Sequence, residues 1–322
     1  RRARDAGVDL RQVRAAGHAT GPAGRITHED LDRYLTGGLR GAGPGGVAAP
    51  TGAPGLAREA RSGSTRQPMV GLRRRIAHRM VTSATTIPHI TYVEEVDVTA
   101  LEDLRTTLND RGADNPNQPR LTVLPFLVRA LTNILADFPI FNAHLEEAGA
   151  GGPVGDAGPT EATGTDTLTV YDGIHVGIAT QTDNGLIVPV LRHAEAHTIW
   201  SAASAIAELS EGTRSGTAPA DALSGSTITI TSLGALGGIV STPIINKPEV
   251  AIVGVNKIAI RPVWDDGEFV PRKIMNLSCS FDHRVIDGWD AANFVQAIRI
   301  QLERPALLFI DELGPGPPEA GS

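Results

Sequence analysis

The sequence predicts two folded units, the larger of them an α/β sandwich in which helices cover a mixed sheet. Three observations lead there. Apolar patterns of strand and helix period alternate along residues 69–313. They lack the even βαβ spacing and phosphate loop of a nucleotide-binding fold. A stretch rich in Gly, Ala and Pro also sets them apart from a short helical segment at residues 1–36. At 322 residues the chain exceeds one ordinary compact domain, and 41% apolar residues suffice for a substantial core.

Residues 1–36 hold two short helical patterns. Ala3, Val8, Leu10 and Val13 lie on one side of a glycine-rich loop, and Ile26, Leu31, Tyr34 and Leu35 on the other. Thr27 to Asp30 reads as an N-cap followed three residues later by an acid. So small a unit sits near the lower limit for folding alone and suits binding better than chemistry. Residues 37–68 are Gly, Ala, Pro and Ser with scattered Arg, a composition that cannot offset its ordering entropy and reads as a tether. Gly41, Gly43 and Gly46 match G-x-G-x-x-G only formally, since no strand precedes them and no helix follows.

The large unit opens with a basic amphipathic helix at 73–84, a strand at 87–98, a helix at 99–109 behind a Thr cap, and a long apolar helix at 122–137. A Gly-rich surface insertion occupies 147–166. Buried strands at 173–180 and 186–190 flank a turn at Asp183, Asn184 and Gly185. After a helix at 199–210 come strands at 226–231, 250–260 and 273–282, and a helix at 291–303. Residues 314–322 form a disordered tail.

No apolar run approaches the roughly 18 residues that would span a bilayer. A lone cysteine, Cys279, allows no internal disulfide and no cysteine metal cage, which points to a reducing, cytoplasmic compartment. The first residue is Arg rather than Met, so the chain reads as a fragment or processed product. Net charge is −7, distributed as +8 over residues 1–75 and −15 over the rest. That basic arm lacks zinc ligands, a stacking series of aromatics and helix-turn-helix spacing, so nucleic acid is not the expected partner and an acidic protein surface is.

The strongest local signal is S-F-D-H-R-V-I-D-G at 280–288, where an apolar strand ends before the last helix. Loops after strands are where reactive groups are presented. His283, with a carboxylate at Asp287 and a Gly for a tight turn at 288, has the make-up of a general base whose tautomer is fixed by an acceptor. On residue types alone, a structural His beside an Asp is the commoner arrangement.

That segment follows T-I-T-I-T-S-L-G-A-L-G-G (227–238) and K-P-E-V-A-I-V-G-V (247–255). With R-R-R-I-A-H-R-M (73–80), I-P-H (87–89), F-P-I-F-N-A (138–143) and D-N-G-L-I-V-P-V (183–190), it resembles the catalytic domain of the dihydrolipoamide acyltransferases of 2-oxo acid dehydrogenase complexes. The resemblance covers nearly all of residues 69–313 and implies a chloramphenicol-acetyltransferase-like two-layer sandwich. A-R-D-A-G-V-D-L (3–10) and T-G-P-A-G-R-I-T-H-E-D-L (20–31) resemble that family's peripheral subunit-binding domain. There the resemblance implies that Arg1, Arg4 and Arg25 meet acidic patches on the 2-oxo acid decarboxylase or the dihydrolipoamide dehydrogenase. It also implies a mobile lipoyl domain upstream that carries the covalent lipoyl group.

The implied reaction passes an acyl group between dihydrolipoamide and coenzyme A. His283 takes the thiol proton, an easy transfer from a thiol of pKa about 8.5 to an imidazole near 7. Thr231, at the family's hydroxyl position, donates to the oxyanion, with neighbouring Ser232 as the alternative. Asp287 is counted with the catalytic residues, where it could polarise His283 but mainly holds the loop through an ion pair and the Gly288 turn, and Arg284 and Gly288 support the loop. The family's site lies between two subunits of a homotrimer, and trimers build a hollow cage. Motifs at 239–248 and 275–288 look closest to the branched-chain members, with a pyruvate-type acetyltransferase or a non-catalytic scaffold as alternatives. A free-standing acetyltransferase of the chloramphenicol type would share H-x-x-x-D-G but has no use for a binding unit and tether. No metal is expected: His89, His175, His193 and His197 show no ligand cluster. Cys279 reads as a buried small residue, and the sequon at Asn276 falls inside a core strand.

Overall fold

The computed structural model describes residue 3 and residues 8–37, 62–115, 118–148, 165–183 and 185–310. Arg1, Arg4, most of the expected tether, most of the 147–166 insertion and the expected tail lie outside them. The chain divides into two compact units, Arg1–Arg66 and Gln67–Ser322.

In the first unit, helix α1 (Leu10–Ala15) begins at Asp9, whose side chain accepts from Arg11 N. A short 3-10 turn and the Gly21–Arg25 bridge lead to α2 (His28–Gly37). Ala3, Val13 and Leu31 form the core, with Val8, Ile26 and Tyr34 against it. Leu10 and Leu35, expected on the apolar sides, are instead exposed. Six residues of α1 make under two turns, too few to turn every apolar side chain inward. The cap expected at Thr27 is reciprocal: Asp30 N donates to Thr27 Oγ1 at 3.2 Å, and Thr27 N donates to Asp30 Oδ2 at 2.8 Å. The same buried carboxylate accepts from Thr20 N and Thr20 Oγ1, so one side chain joins loop to helix.

Among the described residues of the second unit, helices α3 (Gly71–Thr86), α4 (Thr99–Arg111), α5 (Val123–Ile134), α6 (Ile199–Ser215) and α7 (Gly288–Glu303) accompany ten strands. The main sheet runs β1 (His89–Asp97), β10 (Glu268–Asp282), β8 (Ala251–Val255), β7 (Ile228–Ser232), β4 (Val176–Thr182) and β5 (Gly185–Ile187). β6 (Val190–Leu191) also pairs with β4, and β9 (Ala259–Asp265) with β10. β7 is parallel to both β4 and β8, while β10 is antiparallel to β1, β8 and β9. The sheet is therefore mixed, as expected. Helices α5, α6 and α7 supply the apolar layer packed on it. Among the described residues no helix is long and apolar enough to cross a membrane.

Several expected elements differ. The strand expected at 250–260 is two, β8 and β9, because Lys257 N leaves the ladder for Gly238 O and the Asn256 side chain accepts from Ser278 Oγ. The strand expected at 186–190 is broken around Pro189, which has no N–H to give, and β5 is only half-buried. Residue 98, not a threonine, precedes α4; Asp97 instead accepts from Thr99 N and Oγ1. The short pair β2 (Ala143–Glu146) and β3 (Thr167–Val170) was not foreseen.

Aromatics are scarce, yet four of the seven phenylalanines converge. Phe141 stacks on Phe294 at 4.0 Å and meets Phe281 edge-on at 5.5 Å, while Phe138 meets Phe294 at 5.8 Å. This ties α7, the approach to β2 and the end of β10 into one block.

The hydrogen bonds from Thr20 and Thr27 hold the Asp30 carboxyl well below the usual carboxylate range, led by the Thr20 hydroxyl. A depressed folded pKa adds stability above the unfolded value, about 3.9, and that stability is lost as pH falls further. Asp30→Asn is expected to speed amide exchange across 28–35 at neutral pH and to flatten its acid dependence, leaving the second unit unchanged. Wild-type exchange rates in 28–35 would contradict this role.

Candidate active site

β10 delivers Phe281 and Asp282 into the interior, both fully buried, and the next residue, His283, emerges exposed. The turn is built around Asp282. Its carbonyl accepts from Val285 N at 3.0 Å and Ile286 N at 2.9 Å. Its carboxylate accepts from Arg284 N at 3.1 Å, Arg284 Nε at 2.9 Å and Arg284 Nη2 at 2.6 Å. His283 thus stands between two residues whose side chains hold each other. On its other side His283 N donates to Pro88 O at 3.0 Å. Neither ring nitrogen of His283 has a hydrogen-bond partner among the described residues.

Two supporting residues sit differently from expectation. Asp287 makes no ion pair among the described residues; it is the N-cap of α7, accepting from Trp289 N at 2.9 Å and Asp290 N at 3.0 Å. The ion pair foreseen for it belongs to Asp282, which the sequence reading passed over. Gly288 is the first residue of α7 rather than a tight turn, and a Cβ there would meet nothing within 4 Å. Arg284 also donates through Nη1 to Glu147 Oε1 at 2.6 Å, and its guanidinium is held strongly protonated by Asp282.

Thr231 and Ser232 end β7. Ser232 Oγ accepts from Gly234 N at 3.2 Å, whereas the Thr231 hydroxyl has no partner among the described residues. Thr231 lies opposite Gly254, and Gly254 opposite Ser278. From Ser278 to Asp282 is about 14 Å along the strand, and β10 to β7 is two steps of about 4.8 Å. Within one chain, His283 and Thr231 therefore stand towards opposite ends of the sheet, too far apart to touch one reacting centre.

The remaining histidines are structural or surface groups. His89 is bonded through Nδ1 to Ile87 O and accepts at Nε2 from Ile245 N, which holds the ring in place. His144 is bonded to Ser226 O and to the Tyr171 hydroxyl. His193 contacts Glu195, and burial lowers the His175 pKa. Among the described residues no group of three or more His, Cys, Asp or Glu is placed to hold a metal ion. Burial pushes the Cys279 thiol up to about 12, which removes it as a nucleophile. Arg25 is exposed in the first unit.

Glu249, at the start of β8, is a second buried carboxyl that sequence reasoning missed. It accepts from Ser226 Oγ and from Asn246 Nδ2 at 2.7 Å, and it makes no ion pair among the described residues. Burial raises it to about 7, against the opposing hydrogen bonds of Ser226, Thr229 and Asn246.

Family models place this geometry among known proteins. Residues 61–310 match the 2-oxoacid dehydrogenases acyltransferase (catalytic domain), and residues 1–32 match the e3 binding domain. The lipoamide acyltransferase component of the branched-chain alpha-keto acid dehydrogenase complex of Pseudomonas putida is 50% identical over 97% of this chain and 66% of its own length. The dihydrolipoyllysine-residue acetyltransferase component of the Bacillus subtilis pyruvate dehydrogenase complex is 37% identical over 96% of this chain, again 66% of its own. The chain thus spans just under two thirds of these relatives. Among solved structures, Azotobacter vinelandii dihydrolipoamide acetyltransferase superposes with a TM-score of 0.67 at 34% identity, covering 81% of this chain and 99% of that one. The cubic core of a pyruvate dehydrogenase multienzyme complex gives the same values.

A carboxyl whose folded pKa is raised adds stability below its unfolded value, about 4.3, and loses it as pH climbs through the folded value. The unfolding midpoint of the second unit is expected to fall between about pH 5 and about pH 8. Glu249→Gln, which keeps the hydrogen-bonding shape without a titrating proton, should remove most of that slope. An equal slope in wild type and variant would assign the pH dependence elsewhere.

Proposed function

We propose that this chain, which belongs to the family of 2-oxoacid dehydrogenase acyltransferases, transfers a branched acyl group between dihydrolipoamide and coenzyme A. His283 acts as the base and Thr231 of a second copy as the oxyanion donor. The observation that carries the shared site is the sheet register, which separates the two groups within one chain. Branched-chain chemistry is favoured over acetyl transfer because the relatives named for it reach 50% identity, against 37% for the Bacillus subtilis pyruvate component.

In this mechanism His283 accepts the proton of the attacking thiol, and the thiolate adds to the thioester carbonyl carbon. The tetrahedral oxyanion takes a hydrogen bond from the Thr231 hydroxyl. Collapse expels the second thiolate, which recovers the proton from the imidazolium, so atoms and charge balance. The unengaged ring of His283 and the unengaged hydroxyl of Thr231, beside a Ser232 committed to its own turn, support these roles. Arg284 and Asp287 act on the loop: the first clasps Asp282, and the second caps α7. A homotrimer closes a ring in which each copy lends a hydroxyl to the next, and a cage of trimers follows the cubic core that is among the similar structures. A cytoplasmic setting goes with this chemistry, because its thiol substrates need a reducing compartment.

His283→Ala and Thr231→Val, expressed alone, should each lose turnover, the latter by roughly 10²–10³. Co-expressed, they should regain part of it, because mixed assemblies contain sites with both native groups. With isobutyryl, isovaleryl and acetyl coenzyme A as donors, the branched pair should react faster. No recovery on mixing would locate both groups in one copy, and faster acetyl transfer would assign the pyruvate type.

The first unit recruits partner enzymes, the dihydrolipoamide dehydrogenase or the decarboxylase, through Arg1, Arg4 and Arg25 against acidic surfaces. Support comes from the e3 binding domain match and the exposed position of Arg25. Calorimetric titration with each partner should show Arg25→Glu weakening capture, most at low salt. Unaltered affinity would remove Arg25 from the interface.

A further inference from the structure

His283 is held by its neighbours in two places: its backbone N–H by Pro88 O, and its following residue by Asp282. One side chain reaches both anchors. Glu147, just beyond β2, accepts from Arg284 Nη1 at 2.6 Å through Oε1 and from Lys247 Nζ at 2.8 Å through Oε2. Lys247 Nζ also donates to Thr86 Oγ1 at 3.1 Å, and Thr86 ends α3 two residues before Pro88. Glu147 thereby joins the end of β2, the turn after β10, the segment leading into β8 and the end of α3.

We propose that Glu147 is a positioning residue for His283, clamping the Arg284 side of the loop directly and the Pro88 side through Lys247 and Thr86. This rests on the reading of His283 as the catalytic base. Both cations around Glu147 are themselves partly screened from water, at 28% exposure for Arg284 and 21% for Lys247. Neither has the freely solvated geometry in which an ion pair contributes nothing. Lys247 and then Arg284 hold the Glu147 carboxyl below its usual range, so the clamp stays charged through neutral pH. Asp282 alone leaves Arg284 Nη1 unengaged; Glu147 supplies its partner and, through Lys247 and Thr86, adds a second tie to the end of α3 just before Pro88.

The test is steady-state acyl exchange by the assembled full chain, comparing wild type with Glu147→Gln, Glu147→Asp, Lys247→Gln, His283→Ala and the double variant Glu147→Gln/His283→Ala. Misplacing a catalytic group by about 1 Å costs up to about 10²-fold, so Glu147→Gln is expected to lower kcat by about tenfold or more with KM nearly unchanged. Glu147→Asp should restore part of the loss. Because Glu147 acts through His283, the double variant should be no slower than His283→Ala alone. Wild-type kcat in Glu147→Gln beside an inactive His283→Ala would overturn the clamp and leave the base intact. Wild-type turnover in His283→Ala would overturn the base itself. A double variant slower than His283→Ala would mean that Glu147 acts other than through the imidazole. Should Glu147→Gln fail to assemble, Lys247→Gln decides: a reduced kcat at constant KM supports the clamp, and an unchanged kcat overturns it.

Discussion

The structure of the site depends on one ion pair that brings a carboxylate into the interior. Asp282 is fully buried, a position that is costly for a carboxylate without a partner. Arg284, two residues on, supplies the counter-charge and three of the hydrogen bonds. That pairing dictates the course of the chain: Asp282 and Arg284 turn towards each other, and the residue between them is turned outward. A buried ion pair of this kind adds little net stability over an apolar pair of the same volume, while losing one partner is costly. Its value lies in allowing one arrangement of the loop.

What Asp282 does for direction, β10 does for distance. Its fifteen residues pair with β1, β8 and β9 in turn, so it spans the sheet and carries the imidazole to one end. The parallel pair β7 and β8 leaves Thr231 towards the other end. With the roles proposed for these two residues, a copy that approaches the thiol leaves its own hydroxyl out of reach of the oxyanion, so the proposed site needs a second copy. Gly254 contributes to the same geometry. A Cβ there would come within 2.6 Å of Ser278 O and 3.2 Å of Ser241 Oγ, so glycine lets the segment carrying Ser241 and Pro243 lie close over the strands beside Thr231. Ser241 N fastens that segment to Ser278 Oγ.

Much of this was legible because it is local. The apolar alternation that ends at Phe281, the shift to helical period after residue 288 and the Thr27–Asp30 cap are each written within a few residues, and each forms. The site histidine sits in a motif of the same short reach, whereas the two hydroxyl residues are named only through the family resemblance. Where the reading went astray, a tertiary contact outweighed the local pattern. Asp287 is drawn into capping α7 instead of an ion pair, because the orphan N–H groups of the helix are its nearest donors. The long strand at 250–260 breaks because Gly238 O, some twenty residues earlier, takes the N–H of Lys257.

Glu147 marks the boundary of what such patterns can reveal. It follows a short strand, next to another glutamate and beside a Gly-rich run, and nothing within ten residues distinguishes it from a solvated surface acid. Its partners lie 100 and 137 positions away in sequence, and their cationic groups come within 3 Å only after the sheet has formed. Contacts of that separation contribute after the loop-closure entropy has been met by the apolar core, so they leave no periodicity to read. They also cost least to build where the core has already fixed the backbone on both sides. The phenylalanine block does this here for the end of β10 and the approach to β2. A rigid apolar block with a charged clamp at its rim can hold an exposed imidazole steady without burying it, which is the condition a base needs if its thiol substrate arrives from another molecule.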